Sequence, residues 1–306
     1  MASQLQQPHF QDPNKAREYL ERIRWPKGPI CPHCGSVSKD HYALNGESTR
    51  PGLYKCSDCR EQFTATVGTV FERSKIALHI WLQAVYLLCS AKKGISSHQL
   101  HRTLGVSYKT AWFMAHRIRE AMTSNPAGLL GGGGGTVEAD ETFWGNNKKV
   151  KGGKGRGYAH KMKVFALVER KGEVRSFHVA NVQAKTLKAI ITANVSKEAN
   201  LCTDEASMYT KVGREFASHG VVKHGAKEYV RGDIHTNSIE GYFALLKRGL
   251  IGTYHKCGEQ HLHRYANEFS FRFNNRAKLG VNDMMRTDAA LRGISGKRLT
   301  YRRIEV

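Results

Sequence analysis

Between Lys75 and Met122 the apolar residues recur at helical spacing. Ile76, Ile80, Trp81, Val85 and Leu88 fall on one face, which predicts a first helix closed by Gly94. In the following stretch, SSHQLHRTLGVSYKTAWFMAHRIREAM, Ser96 or Ser97 can cap a short helix running to Leu104. Gly105 permits a tight turn, and Ser107 can cap a second helix to Met122. Helix, glycine-containing turn, helix is the outline of a helix-turn-helix. Its second helix carries Tyr108, Lys109, Thr110, His116, Arg117 and Arg119. The pattern breaks at NPAGLLGGGGGT, where five consecutive glycines, Gly131 to Gly135, read as a flexible linker.

Beyond the glycines the period changes to that of strands. TVEADETFWG alternates into the acidic pair Asp140 and Glu141, and KMKVFALVER and EVRSFHVANV predict two strands joined by a turn at Lys171-Gly172. AKTLKAIITANV predicts a short helix, NLCTDEASMY a strand ending in Asp204, and GVVKHG a further strand. Helices follow from about 238 to 248 and from about 260 to 274. In the first of these, Ile239, Tyr242, Phe243, Leu246 and Leu250 form an apolar stripe, beside which Asn237, Glu240, Ala244 and Lys247 share a second face. Strands first, then helices alternating with strands, predict an α/β fold with a mixed sheet flanked by helices.

Charge adds what the pattern leaves out. The 306 residues hold 48 Lys and Arg against 26 Asp and Glu, a formal net charge of +22. A surplus spread along the whole chain suits a polyanion, and nucleic acid is the commonest one. An acidic membrane surface fits less well, because neither a basic amphipathic helix nor a lipidation signal is present. The longest apolar run, Ile76 to Ala91, is too short and too interrupted by His79 and Gln83 to span a bilayer. MASQLQQPHF lacks the pattern of a secretory signal, so a cytoplasmic location is expected. There the seven cysteines are expected to be metal ligands or buried thiols. Cys31 and Cys34 form one Cys-x-x-Cys knuckle and Cys56 and Cys59 another, a spacing that lets four thiolates reach one tetrahedral zinc. Tyr42 to Leu44, Pro51-Gly52 and Tyr54 between them predict the short strands and turn of a zinc ribbon. His33 is expected to be a bystander, and Cys89, Cys202 and Cys257 buried thiols.

Acids are scarce in this basic chain, and Asp140 and Asp204 sit at or near the ends of predicted strands. Carboxylates so placed could hold paired magnesium or manganese ions for phosphoryl transfer; turn or capping roles would explain lone aspartates equally well. For Asn237 and Glu240 the local alternative is a capping box. The expectation here is that Asn237 is the N-cap and at most orients a ligand or water, whereas Glu240 is a metal ligand. A cap gives no reason for Lys247 on the same face.

Several stretches together, YLERIRWPKGPICPHCGS, YKCSDCREQFTATVGTVFERSKIAL, VEADETFWG, LCTDEASMY, HTNSIEGYFALLKRGLIGTYH and LHRYANEFSFRFNNR, carry a resemblance from about residue 15 to 280. The chain resembles the DDE transposases of bacterial insertion sequences, in the subgroup with an N-terminal zinc ribbon. The resemblance implies an RNase H-like catalytic domain in which Asp140, Asp204 and Glu240 bind two magnesium or manganese ions. It matches Lys247 to a basic residue that touches DNA near the site. It implies cleavage at terminal inverted repeats and joining of the 3′ ends to target DNA, on double-stranded DNA, by a nucleoid-associated homodimer or higher oligomer. Lys109, Thr110, Arg117, Lys247 and Arg248, and the basic stretch Lys148 to Lys163, are the expected DNA contacts. The expected organisation is an N-terminal helix and ribbon over 1–72 and a helix-turn-helix over 73–126. A linker over 127–136, a catalytic domain over 137–290 and a basic tail over 291–306 follow. The rival readings are an RNase H-like nuclease or resolvase without strand transfer, and a DNA-binding regulator derived from a transposase.

Overall fold

The computed structural model describes residues 3–37, 40–124, 126, 128–145 and 160–300. By contacts the chain forms two units, 1–123 with 277–306, and 124–276.

The first unit begins with α1 (Pro8–Gln11) and α2 (Pro13–Arg24). The Asp12 carboxylate caps α2 by accepting the N–H groups of Asn14 and Lys15, both at 2.8 Å, and Pro13 occupies the first helical position. Three short antiparallel strands follow, β1 (Tyr42–Leu44), β2 (Leu53–Lys55) and β3 (Gln62–Phe63), the last unforeseen from the pattern. Trp25 and Phe63 form their small core with edge-on rings. Next come α3 (Leu78–Ser90), α4 (Ser97–Leu104) and α5 (Tyr108–Ala121). The sequence signals work as expected: Ser96 caps α4 through Gln99, Gly105 turns the chain at φ 65°, and Ser107 caps α5 through Thr110.

Sequence order placed residues up to 290 with the sheet, but the C-terminal helix Asp283–Arg292 belongs to this first unit, against α2, α3 and α5. The segment after it runs beside α5, where Lys297 Nζ reaches the carbonyls of Ala121 and Thr123 at 3.3 and 2.5 Å. His116, Arg117 and Arg119 are buried, and Arg117, expected to contact DNA, donates instead to the Leu299 carbonyl of that segment. Only the N-terminal turn of α5, with Tyr108 and Lys109, is exposed.

The second unit is a five-stranded mixed sheet in the order β6-β5-β4-β7-β8. It comprises β4 (Thr136–Trp144), β5 (Met162–Glu169), β6 (Val174–Val179), β7 (Asn200–Asp204) and β8 (Ser218–Val222). β4, β5 and β6 pair antiparallel, whereas β7 and β8 run parallel to β4. Between β6 and β7 lies α6 (Ala184–Asn194), whose Leu187 and Ile191 pack on Val137, Ala139, Phe165 and Leu201. The short α7 (Thr210–Gly213) and a two-stranded hairpin, β9 (Val230–Arg231) with β10 (Ile234–His235), complete the connections. The opposite face is covered by α8 (Asn237–Gly249) and α9 (Glu259–Asn274). The predicted stripe of Ile239, Tyr242, Phe243, Leu246 and Leu250 is buried there against Val164, Ala166 and Val168. This is the mixed sheet flanked by helices that the pattern predicts.

The glycine run is not the free linker expected of it. Gly132–Gly134 make one 3-10 turn, and Gly131 takes φ 73° so close to Val137 and Ala199 that a Cβ would lie 2.8 and 2.5 Å from their side chains. Its N–H donates to the Glu169 carboxylate at 2.8 Å. Glycine serves here for close approach and left-handed backbone rather than for looseness. Among the described residues no helix is long and apolar enough to cross a membrane.

Candidate active site and metal centre

Side-chain alternation along β4 divides its acids between two faces. Asp140 pairs with Ala166 and Glu138 with Val168, which places both carboxylates on the face covered by α8. Glu141 pairs with Phe165 on the α6 face, where its carboxylate accepts the Tyr209 hydroxyl at 2.5 Å. In the parallel pairing of β4 with β7, Glu138 lies opposite Cys202. Two residues further along each strand, the register sets Asp140 beside Asp204 on the same face. Asp204 ends β7 and accepts the N–H of Ala206 at 3.0 Å. Glu240, in the first turn of α8, extends from the element that covers that face.

The electrostatics carry the same convergence. Burial, then the charge of neighbouring Glu141, pushes the Asp140 carboxyl up to about 8. The Glu141 N–H at 2.7 Å opposes the rise, and the charges of Asp204 and Glu240 add to it. Glu141 is also raised, first by burial, with the Tyr209 hydroxyl pulling the other way. A buried carboxyl whose hold on a proton is raised by neighbouring carboxylate charges fits a hard dication, which can take the place of the proton.

Asn237 is not the cap. Thr236 occupies that position without a side-chain bond to the helix amides, and Asn237 is the first helical residue, exposed. The N–H that a cap would satisfy, that of Ile239, donates instead to the buried carboxylate of Glu138 at 2.9 Å. Glu240 makes no capping box with Asn237: its N–H donates to the Thr236 carbonyl at 3.1 Å and its carboxylate accepts the Thr236 hydroxyl at 3.2 Å. His224 Nε2 lies 3.9 Å from that carboxylate. Lys247 and Arg248 are exposed further along α8, with Arg248 Nε bonded to the Ala244 carbonyl at 3.1 Å. In the first unit Lys109 is exposed and Thr110 half-buried, whereas Arg117 donates to the carbonyls of Leu299 and Glu72 at 3.1 and 3.2 Å. Of the basic stretch Lys148 to Lys163, residues 148–159 lie outside the described residues; Lys163 Nζ donates to the Lys161 carbonyl at 2.9 Å.

The four knuckle cysteines converge. Their sulfurs all lie within 4.8 Å of one another, with Cys31 to Cys59 at 3.6 Å and Cys34 to Cys56 at 3.7 Å. A zinc tetrahedron with bonds of about 2.3 Å has edges of about 3.8 Å, so these four can hold one zinc. The residue after each knuckle, Gly35 and Arg60, is left-handed at φ 77° and 64°. His33 bonds to the Gln62 carbonyl at 3.2 Å instead of joining the cluster. Of the remaining cysteines, Cys89 and Cys202 are buried and Cys257 is partly so.

Sequence reasoning missed Glu138, Arg170, His224 and His235. Glu138 offered one signal, a position two residues before Asp140 in the same strand.

Residues 132–274 match the ISXO2-like transposase domain, and residues 11–62 match the transposase zinc-ribbon domain. A relative, described as an uncharacterized protein in transposable element ISH50 of Halobacterium salinarum, is 31% identical over 264 residues. The match covers 79% of this chain and 84% of that protein.

Proposed function

The chain belongs to the family of ISXO2-like transposases, and from that premise we propose that it cleaves DNA at terminal inverted repeats and joins the 3′ ends to target DNA. What supports this reading is the strand register that sets Asp140 beside Asp204, with Glu240 on the helix that covers that face and the charges of Asp204 and Glu240 adding to the rise of the Asp140 carboxyl. Asp140, Asp204 and Glu240 would hold a pair of magnesium or manganese ions. Such ions, when bound, activate water and stabilise the attacking and leaving oxygens of an in-line displacement. The chain's own groups do the rest. The partly buried strand ends restrict water around Asp140, and Lys247 and Arg248 take phosphates beside the acids. The ribbon, with zinc on Cys31, Cys34, Cys56 and Cys59, and the exposed start of α5, with Lys109 and Thr110, engage the repeats. Arg117 supports that helix from inside the unit. Joining two ends calls for two active sites, hence a homodimer or higher oligomer on DNA.

The test is incubation with magnesium and DNA carrying the flanking repeats, scoring both cleavage and joining. A pre-cut end separates the readings: integration of its 3′ hydroxyl into a second duplex supports a transposase. Cleavage without joining identifies a nuclease, and repeat binding with neither reaction identifies a regulator.

A further inference from the structure

Glu138 is fully buried in β4 and takes no part in the chemistry described so far, yet its carboxylate gathers groups from three other segments. Oε1 accepts Arg170 Nε at 2.7 Å and lies 3.3 Å from His235 Nδ1; Oε2 accepts the Ile239 N–H at 2.9 Å. Arg170, just after β5, extends the junction by donating to the carbonyls of Asp233 and His235 at 2.5 and 2.8 Å. One ion pair therefore fastens β4, the β5–β6 turn, β10 and the first turn of α8 to each other.

Burying a carboxylate and a guanidinium is costly, and an apolar pair would stabilise a sheet as well or better. What an apolar pair could not do is fix the helix start relative to the strand to within a hydrogen-bond length. Ile239 immediately precedes Glu240, and Glu138 precedes Asp140 by two residues, about 7 Å of strand. The negative charge also suits the positive end of α8. We propose that Glu138 is a positioning residue. Through the Ile239 N–H it sets the separation of Glu240 from Asp140, with Arg170 aiming its carboxylate. This rests on the metal-binding reading above.

Two disrupting variants and one recovery variant test it on zinc-loaded full-length protein. Glu138→Gln turns one acceptor oxygen into a donor facing donors; Arg170→Lys keeps the charge but loses the fork that holds residues 233 and 235. Manganese binding is followed by the paramagnetic resonance of the free ion, alongside thermal unfolding and repeat-DNA binding without divalent ions. Supporting groups behind metal ligands typically contribute 10- to 100-fold in affinity. Both variants should bind manganese at least about 10-fold more weakly while remaining folded at the assay temperature and binding DNA normally. If Glu138→Gln does not fold, Arg170→Lys decides. Glu138→Asp, which keeps the charge on a shorter arm, should recover part of the affinity. A merely structural role would lower the unfolding temperature and leave manganese affinity unchanged, and that result overturns the proposal. Wild-type protein that binds no manganese would instead overturn the metal-site reading itself.

Discussion

Asp140 is partly buried, and the charges of Glu141, Asp204 and Glu240 strengthen its hold on a proton. An ordinary aspartate in the unfolded chain titrates near 4, while folding moves this one up to about 8. Between those values the folded state keeps a proton that the unfolded state has released, so stability must fall as pH rises across that window. Glu141 shifts in the same direction. Zinc-loaded protein without magnesium should therefore lose thermal stability from pH 5 towards pH 8 relative to Asp140→Asn. Magnesium should flatten the difference by binding the ionised form. A wild-type and variant pair whose separation is constant with pH would refute this account. Glu240→Gln should reduce cleavage to background with DNA binding intact, because the amide keeps the shape and loses the charge. Asn237→Ser should retain most activity. Since Asn237 is not the cap, even Asn237→Ala should destabilise by less than roughly 0.5 kcal/mol, against about 1 kcal/mol for a lost cap. Chemical denaturation measures that directly.

The ribbon and α5 respond differently because their strength comes from different sources. Strands of three, three and two residues cannot persist on their own pairing. One zinc per chain is expected by metal analysis, and Cys34→Ser should lose both the zinc and the protection of residues 30–63 from proteolysis. Along α5, Lys109→Ala should weaken repeat binding and lower the salt slope by about one unit. Arg117→Ala should instead destabilise the fold, by about 1–3 kcal/mol, by removing the donor to two backbone carbonyls. That contrast also marks what was legible in the sequence. Ser96, Gly105 and Ser107 act on neighbours within three residues, and periodicity exposes such signals. Arg117 is buried by a partner 182 positions away, and nothing local announces it. The same limit hid Glu138, whose partners Arg170 and Ile239 lie 32 and 101 positions on, and left Asn237 to be taken for the cap. That Asp140 and Asp204 lie in or at the end of strands was legible in the pattern; the register that sets them side by side required the sheet.

At the scale of the whole molecule the net charge of +22 is the dominant electrostatic fact. Binding to repeat DNA should weaken steeply with salt, with a logarithmic slope of roughly −0.9 for each phosphate contacted. A titration that is flat between low and high salt would remove DNA backbone contact from the account. The division into units has a different kind of consequence, one of timing. Residues 124–276 are contiguous, so the sheet with its acids can close as soon as that stretch leaves the ribosome. Segments 1–123 and 277–306 lie on either side of it, and α5 gains its cover only when residues 277–300 emerge. During synthesis the unit that carries the ribbon therefore starts first and finishes last. Its helix α5 becomes fully supported only after the acid-bearing sheet is already in place.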